Sequence, residues 1–186
     1  MQLKTIIENI QRGSATAEKK LFLASDCHLM TVALRYVVDK AAAKDVVQES
    51  YIRIFNTLPK FRYKSEAATM AWMRRITSRE AIRWLKKQQR WQKVDIQPFA
   101  GTITESHPMF ADDLYRNLLI LPTNQRLVFN MHAIEGYSHK EIAAKLEIAE
   151  SSSRSLLTRA RKKLVQQIEN QNAQHLPTNE AGVVKQ

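Results

Sequence analysis

Glycine and proline are so scarce in this chain that long uninterrupted helices are the structure it can most readily adopt. Its 186 residues include four glycines and five prolines, the two residue types that most often interrupt helices. Between them, apolar residues recur three or four positions apart, which is the spacing of one helix face. Hydrophobic residues make up 44% of the chain, enough for a core. The sequence therefore predicts an all-α fold.

A stretch without lysine or arginine divides the helical pattern into two parts. Residues 94–113 contain two prolines, one glycine and four acidic residues, and extended they could reach roughly 65 Å at ~3.3 Å per residue. We therefore predict two small helical domains, at 1–93 and 114–170, joined by a flexible acidic linker at 94–113. Residues 171–186 lack periodicity and are predicted to form a disordered tail.

The C-terminal domain contains a helical hairpin at 137–164 whose second helix is rich in basic residues. Ser138 and Glu141 have the spacing of a reciprocal capping box at the start of the first helix. Glu147 stands in the turn where glycine is usual, at a cost of about 1 kcal/mol if its φ is positive. This build is typical of a helix-turn-helix that reads the DNA major groove. An ordinary helical hairpin with a solvated basic face is the alternative.

The charge of the chain indicates a polyanionic partner. The net charge is +11 and the isoelectric point is near 9.9, which favours nucleic acid ahead of a membrane surface. Residues 74–93 contain eight basic residues and one acid, Glu80, so their charges lack helical ion-pair partners. Before them, Phe61 and Tyr63 lie between basic residues. Such aromatic rings either stack on single-stranded bases or anchor their loop to the core.

Patterns of enzymes, metal sites and membrane proteins are missing from the sequence. It has no glycine-rich phosphate loop, no HExxH pair and no G-x-S-x-G turn, so we predict no enzyme activity and no cofactor or metal. Cys27 is the only cysteine, and its apolar surroundings predict a buried structural thiol. No apolar run approaches the ~20 residues that span a bilayer. We expect a soluble, cytoplasmic protein that does not insert into membranes.

Taken in order, these segments resemble an extracytoplasmic-function (ECF) sigma factor of the sigma-70 family, which has conserved regions 2 and 4. The resemblance rests on DVVQESYIRIF at 45–55, the aromatic loop, WMRRITSREAIRWLKK at 72–87, the acidic linker, and LPTNQRLVF with IEGYSHKEIAAKLEIAESSSRSLLTRARKKL within 121–164. It covers about residues 5–168, and its two independent signatures occur in the expected order. It implies a promoter-recognition subunit that binds bacterial RNA polymerase core and promoter DNA, with an anti-sigma factor as a further partner.

The resemblance also implies roles for individual residues. Those that would dock on the largest polymerase subunit are Asp45, Gln48, Glu49 and Arg53. Those that would bind the −10 element and its melted strands are Phe61, Arg62, Tyr63, Lys64, Ser65, Trp72, Arg74, Arg75, Arg79, Arg83, Lys86 and Lys87. Those that would contact the −35 element are Ser138, His139, Lys140, Ser151, Ser152, Arg154, Ser155, Thr158, Arg159 and Arg161. The linker would pass near the RNA exit path of the polymerase.

Three positions depart from the family pattern, and other functions are also compatible with parts of the sequence. The family commonly has Asn and Asp at the positions of Arg79 and Arg83, and Glu at that of Lys44. The two arginines would change the −10 preference or strengthen phosphate contacts. The main alternative function is a stand-alone helix-turn-helix regulator that binds duplex DNA without polymerase. A helical adaptor for acidic proteins and an RNA-binding module are the others.

Overall fold

The computed structural model describes residues 2–88 and 113–174, and every regular element in these residues is helical. This confirms the predicted all-α fold. The elements are α1 (Leu3–Gln11), α2 (Ala15–Val37), α3 (Lys40–Thr57), a 3₁₀ turn (Leu58–Lys60), α4 (Glu66–Lys87), α5 (Asp113–Leu119), α6 (Thr123–Phe129), a π-helical turn (Asn130–Ile134), α7 (His139–Leu146) and α8 (Glu150–Gln174). Most of the predicted linker, residues 94–112, lies outside the described residues.

Helices α1 to α4 form the N-terminal bundle, and polar residues begin three of them. Ser14, Asp39 and Ser65 each accept a hydrogen bond from the backbone N–H three residues later, at the starts of α2, α3 and α4. Such caps satisfy amides that have no partner within the helix. The three long helices pack against one another, with fully buried side chains such as Leu29 and Met73 between them.

Helices α5 to α8 form the C-terminal half. Helix α8 packs against α5, α6 and α7, burying Leu157, Ala160 and Leu164 along one face. Helix α6 also packs against α2 of the N-terminal bundle. The two halves are therefore in direct contact, and the buried apolar cluster of the N-terminal bundle continues into α6 and α7.

Two expectations need correction. Cys27 is exposed, not buried, because the buried face of α2 passes through Ser25 and Leu29 and Cys27 lies on the opposite side. Helix α8 continues to Gln174, four residues into the segment that was expected to be disordered. Residues 175–186 lie outside the described part of the chain.

Candidate nucleic-acid interface

The helix-turn-helix begins with the predicted capping box. The Ser138 Oγ accepts from the backbone N–H of Glu141 at 3.2 Å, and a Glu141 carboxylate oxygen accepts from the Ser138 N–H at 2.8 Å. The Ser138 hydroxyl also donates to this carboxylate at 2.8 Å, and the bonds that the carboxylate accepts from the backbone and side chain of Ser138 lower the pKa of Glu141. At the other end of α7, Glu147 adopts the left-handed conformation with φ 57°. Glu147 therefore has the positive φ that is usual for glycine at this position of the turn.

Helix α8 presents its polar face to solvent. The buried residues Leu157, Ala160 and Leu164 are three or four positions apart and hold one face against the other helices. All seven residues of α8 that were predicted to contact DNA are exposed: Ser151, Ser152, Arg154, Ser155, Thr158, Arg159 and Arg161. Arg154 forms an ion pair with Glu150 one turn earlier. A major groove could receive this face without rearrangement of the helices beneath it.

Two histidines stack where the π-helical turn meets the first helix of the helix-turn-helix. The rings of His132 and His139 lie 4.4 Å apart between centroids and 15° from parallel. His132 Nδ1 is 2.8 Å from the Tyr137 carbonyl oxygen, which can only accept, so this nitrogen carries a proton. His139 Nδ1 is 2.9 Å from the hydroxyl of buried Ser153 on α8.

The ring of His139 therefore has a packing role in addition to any DNA contact. Desolvation, with the neighbouring His132 and Arg154, lowers its pKa. Sequence reasoning placed His139 at the DNA surface but missed His132 and Ser153. The 3.6-residue helical period places Ser153 on the same buried face as Leu157 and Ala160, so the burial of Ser153 could have been predicted from the sequence. The other two predicted residues near this turn, Ser138 and Lys140, are exposed.

The aromatic loop before α4 is partly anchored. The ring of Phe61 packs on Trp72 with centroids 4.3 Å apart, and both side chains are half-buried. The side-chain amide of Gln11 donates to the Phe61 carbonyl at 2.8 Å. Tyr63 is also half-buried. Phe61 and Tyr63 therefore pack against the core and also remain partly open to solvent. The three polar residues of the loop are exposed: Arg62, Lys64 and Ser65.

The basic residues of α4 form an exposed face. The exposed members are Arg74, Arg75, Arg79, Arg83 and Lys87. Lys86 is half-buried, and its Nζ lies 2.5 Å from a carboxylate oxygen of Glu147 in the helix-turn-helix.

Glu80, on the buried side of the same helix, connects α4 to α3. It is 6% exposed, and its two oxygens lie 2.6 Å from Arg53 Nε and 3.1 Å from Arg83 Nη1. These residues line a groove of about 260 Å³ between the two helices. Arg53 is thus turned toward α4, the helix that was predicted to bind the −10 element, which its place in α3 alone did not indicate.

The remaining residues predicted to dock on polymerase lie on the exposed face of α3. Asp45, Gln48 and Glu49 are exposed, while Val46 and Val47 between them are buried. The helical period thus separates a core face from a face that is free for a partner. Asp45 and Glu49 also line the groove that contains Glu80, so the acidic face and the basic helix adjoin.

Residues 2–88 and 113–174 also bear on membrane insertion and metal binding. No helix there is both long and apolar enough to cross a bilayer. The same residues contain no cluster of three or more His, Cys, Asp or Glu side chains placed to hold a metal ion.

Comparison with known proteins gives two family matches in the same order as the two helical halves. The family model described as Sigma-70 region 2 matches residues 27–91, and that described as Sigma-70, region 4 matches residues 111–164. The "ECF RNA polymerase sigma-E factor" of Escherichia coli (strain K12) is 27% identical over 174 residues, which cover 85% of this chain and 90% of that protein.

A second curated relative and two solved structures are also similar. The "RNA polymerase sigma-H factor" of Pseudomonas aeruginosa is 26% identical over 176 residues, covering 86% of this chain and 90% of that protein. A structure of CnrH in complex with the cytosolic domain of CnrY has a TM-score of 0.47 at 20% identity, covering 89% and 96% of the two chains. A structure of the Mycobacterium tuberculosis extracytoplasmic function sigma factor SigJ has a TM-score of 0.47 at 25% identity, covering 78% and 53%.

Proposed function

Because the chain belongs to the extracytoplasmic-function group of the sigma-70 family and directs RNA polymerase to promoters, we propose that its two halves divide promoter recognition. The exposed face of α8 reads the −35 element in the major groove. The loop at 61–65 and the basic face of α4 hold the −10 element and its melted strand. The exposed face of α3 docks on the polymerase core, in the cytoplasm where polymerase and chromosome meet.

The observation that carries this proposal is the presence of two separate basic faces. One lies on the second helix of a helix-turn-helix, and the other lies on α4 beside an aromatic loop. The single acid within the basic run of α4, Glu80, is turned inward, so the arginines on the outer face keep an excess of positive charge. A regulator that binds duplex DNA alone would need the first face only.

Strand melting explains why the polymerase is required. Extracting bases from a duplex costs on the order of a few kcal/mol per step, and stacking on an aromatic ring returns ~1–3 kcal/mol per base. Two half-buried loop aromatics and a basic helix balance only part of that cost. The core enzyme must therefore add contacts before a stable open promoter can form.

An anti-sigma factor is the further partner that we propose. Phe22 and Leu23 on α2 and Ile52 on α3 are large apolar side chains exposed to solvent, and a protein partner could bury them. Beside Phe22, a groove of about 390 Å³ runs between α2 and α3. A partner that covers these residues should abolish transcription when it is added. Transcription that is unchanged by every protein encoded beside this gene would contradict the proposal.

Run-off transcription tests the main proposal. Bacterial core polymerase is incubated with and without the protein on DNA from upstream of its own operon. We expect a discrete start site that appears only with the protein and disappears in an Asp45→Lys, Glu49→Lys variant. A matched control is Glu8→Lys together with Glu169→Lys, which makes the same charge change at a partly exposed position on α1 and an exposed position on α8.

The result that would reject a sigma factor is specific binding to duplex DNA with no polymerase-dependent transcript. That result would support the stand-alone regulator. A transcript that survives the Asp45, Glu49 double reversal would instead show that the docking residues are elsewhere.

A further inference from the structure

We propose that Gln11, at the end of α1, is a positioning residue for capture of the melted −10 strand, because its side-chain amide fixes the start of the loop at 61–65. The proposal rests on the proposed function, in which this loop holds unpaired bases. It goes further by giving a role to α1, which lies outside the residues that either family model matches.

The Gln11 amide bonds to two backbone carbonyls that lie 47 and 50 residues later in the sequence. Gln11 Nε2 donates to the Leu58 oxygen at 3.0 Å and to the Phe61 oxygen at 2.8 Å, which are ordinary lengths for a hydrogen bond from nitrogen to oxygen. A carbonyl oxygen can only accept, and an amide NH2 has two hydrogens to donate. The two carbonyls therefore determine which way the Gln11 amide faces, and they use both of its donors.

These two carbonyls lie at the start and just past the end of the 3₁₀ turn that leads into the loop. The Phe61 N–H closes this turn by donating to the Leu58 carbonyl at 3.0 Å. Pro59, within the turn, has no N–H and cannot add a backbone bond of its own. Gln11 bonds to the first residue of the turn and to the first residue after it, so it holds the turn closed from outside.

The helix that carries Gln11 is itself fixed to the bundle. Its buried residues have the spacing of one helix face, and they are Leu3, Ile6, Ile7 and Ile10. They hold α1 against α2 and the 3₁₀ turn, while the Gln11 side chain is exposed. The apolar core therefore does not depend on Gln11, whose hydrogen bonds act on the loop.

The same bonds help to place an aromatic ring. Phe61, whose carbonyl Gln11 holds, packs its ring on Trp72 of α4 with centroids 4.3 Å apart. Phe61 is thus held at its backbone by α1 and at its ring by α4, and both rings are partly accessible. A base that stacks on a ring already in place binds more tightly, because less conformational freedom is lost on binding.

The far end of the loop is fixed as well. Ser65 Oγ accepts from the Ala68 N–H at 3.1 Å, and the hydroxyl of buried Thr69 donates to the Ser65 carbonyl at 2.8 Å. Only residues 62–64 lie between the two fixed ends. Loss of the bonds from α1 would therefore free one end of a short loop and leave the other end in place.

Hydrogen exchange of the Phe61 amide in the free protein, measured by NMR, tests the anchoring. Gln11→Met has a side chain of similar length without N–H donors, so we expect the Phe61 N–H to exchange about fivefold faster, the factor that one hydrogen bond of ordinary strength gives. Amides in the middle of α3 should keep their wild-type rates. Gln11→Lys retains N–H donors and should keep the exchange slow. Gln166→Met, at an exposed position on α8, is the matched control.

Promoter opening by the holoenzyme tests the consequence for DNA. The probe is DNA from upstream of the protein's own operon, and permanganate oxidation marks its unpaired thymines. We expect Gln11→Met to lower the ratio of open to closed complexes about three- to tenfold relative to Gln166→Met, which is part of what stacking of one base contributes. Binding of the holoenzyme to duplex that ends upstream of the melted segment should be unchanged, because α8 is not altered.

The comparison of Gln11→Met with Gln166→Met decides the role of Gln11. Faster exchange and reduced opening, with unchanged binding to the upstream duplex, would support it. Unchanged Phe61 exchange, unchanged opening, or equal losses in opening and in duplex binding would overturn it, the last because a general loss of structure affects both.

Failure of this proposal is distinguishable from failure of the proposed function. If wild-type protein gives no polymerase-dependent transcript, the proposed function is wrong and the role of Gln11 is rejected with it. A normal transcript beside a Gln11→Met variant that opens the promoter like Gln166→Met would reject the role of Gln11 alone.

Discussion

Single residues in this protein connect surfaces that the sequence presents as separate. Glu80 is buried in α4 yet contacts both Arg53 of α3 and Arg83 of its own helix. Through Arg53 it links the face proposed to dock on polymerase with the helix proposed to hold DNA. The carboxylate also keeps two guanidinium groups close together, which their mutual repulsion would otherwise oppose.

Replacing Glu80 should therefore destabilise the N-terminal bundle. Glu80→Ala leaves two arginines facing each other, and we expect a loss of about 1–3 kcal/mol in the free energy of unfolding, since both arginines are half-exposed and screened by water. Glu80→Gln should lose less, because the amide oxygen still accepts a hydrogen bond. Urea denaturation measures both, with Glu8→Ala as the control on α1. Equal stability of the two Glu80 variants would show that the carboxylate charge is unimportant.

The stacked histidines predict a dependence of stability on pH. The pKa of His139 is lower in the folded protein than its ordinary value near 6.5, so the unfolded chain binds the proton more readily. Stability contributed by neutral His139 is therefore complete above that value and falls as the pH drops below it toward the lower folded pKa. Urea midpoints at about pH 7.5 and 5.5 should show a smaller drop for His139→Gln than for His28→Gln, which replaces an exposed histidine. An equal drop in both variants would contradict this role.

At the scale of elements, α8 serves the core and the surface with opposite faces. Its buried residues recur at helical spacing, so its exposed residues are held in a fixed register above them. The turn that precedes α8 contains a glutamate at φ 57°, at a cost of about 1 kcal/mol relative to glycine. The Glu147 carboxylate lies 2.5 Å from Lys86 Nζ, and a glycine at this position could not form that ion pair.

Removing a charge from the exposed face of α8 should weaken promoter binding and leave folding intact. Arg159→Ala is expected to cost about 1–3 kcal/mol in binding to the promoter if the side chain contacts a base. A uniform loss across DNA sequences would instead indicate a phosphate contact. Gel shifts with holoenzyme measure this, and Arg12→Ala, at an exposed position after α1, removes the same charge as a control. A helical adaptor would keep its partner in both variants.

At the scale of the whole molecule, the protein carries two faces that we propose to bind DNA, and we expect neither to hold a promoter tightly by itself. Melting a promoter needs both faces. Affinity for the promoter should therefore arise in the complex with polymerase, which adds its own contacts to DNA.

Salt dependence distinguishes the free protein from the holoenzyme. We expect the free protein to bind its promoter weakly and the holoenzyme to bind tightly, with a steeper fall in affinity as salt rises, because more phosphates are neutralised. Titrations from about 50 to 200 mM salt measure both slopes. Equal affinity with and without the core enzyme would contradict the proposal that strand melting makes polymerase necessary.

Features that depend on near neighbours along the chain could be predicted from the sequence. Helix positions, the capping box of Ser138 and Glu141, the basic run of α4 and the exposed face of α8 all follow from residues within about four positions of each other. The same local patterns place the two family signatures in order. Features of this kind were correct, apart from helix ends and the side of α2 on which Cys27 lies.

Only the tertiary structure decided which distant residues meet. The stacking of Phe61 on Trp72, the contact of Glu80 with Arg53 and the pair formed by Arg35 and Glu135 join separate helices. Periodicity indicates which face of a helix is buried, but it does not indicate which other helix covers that face or at what angle. Packing of whole helices determines those contacts, including the contact between the two halves.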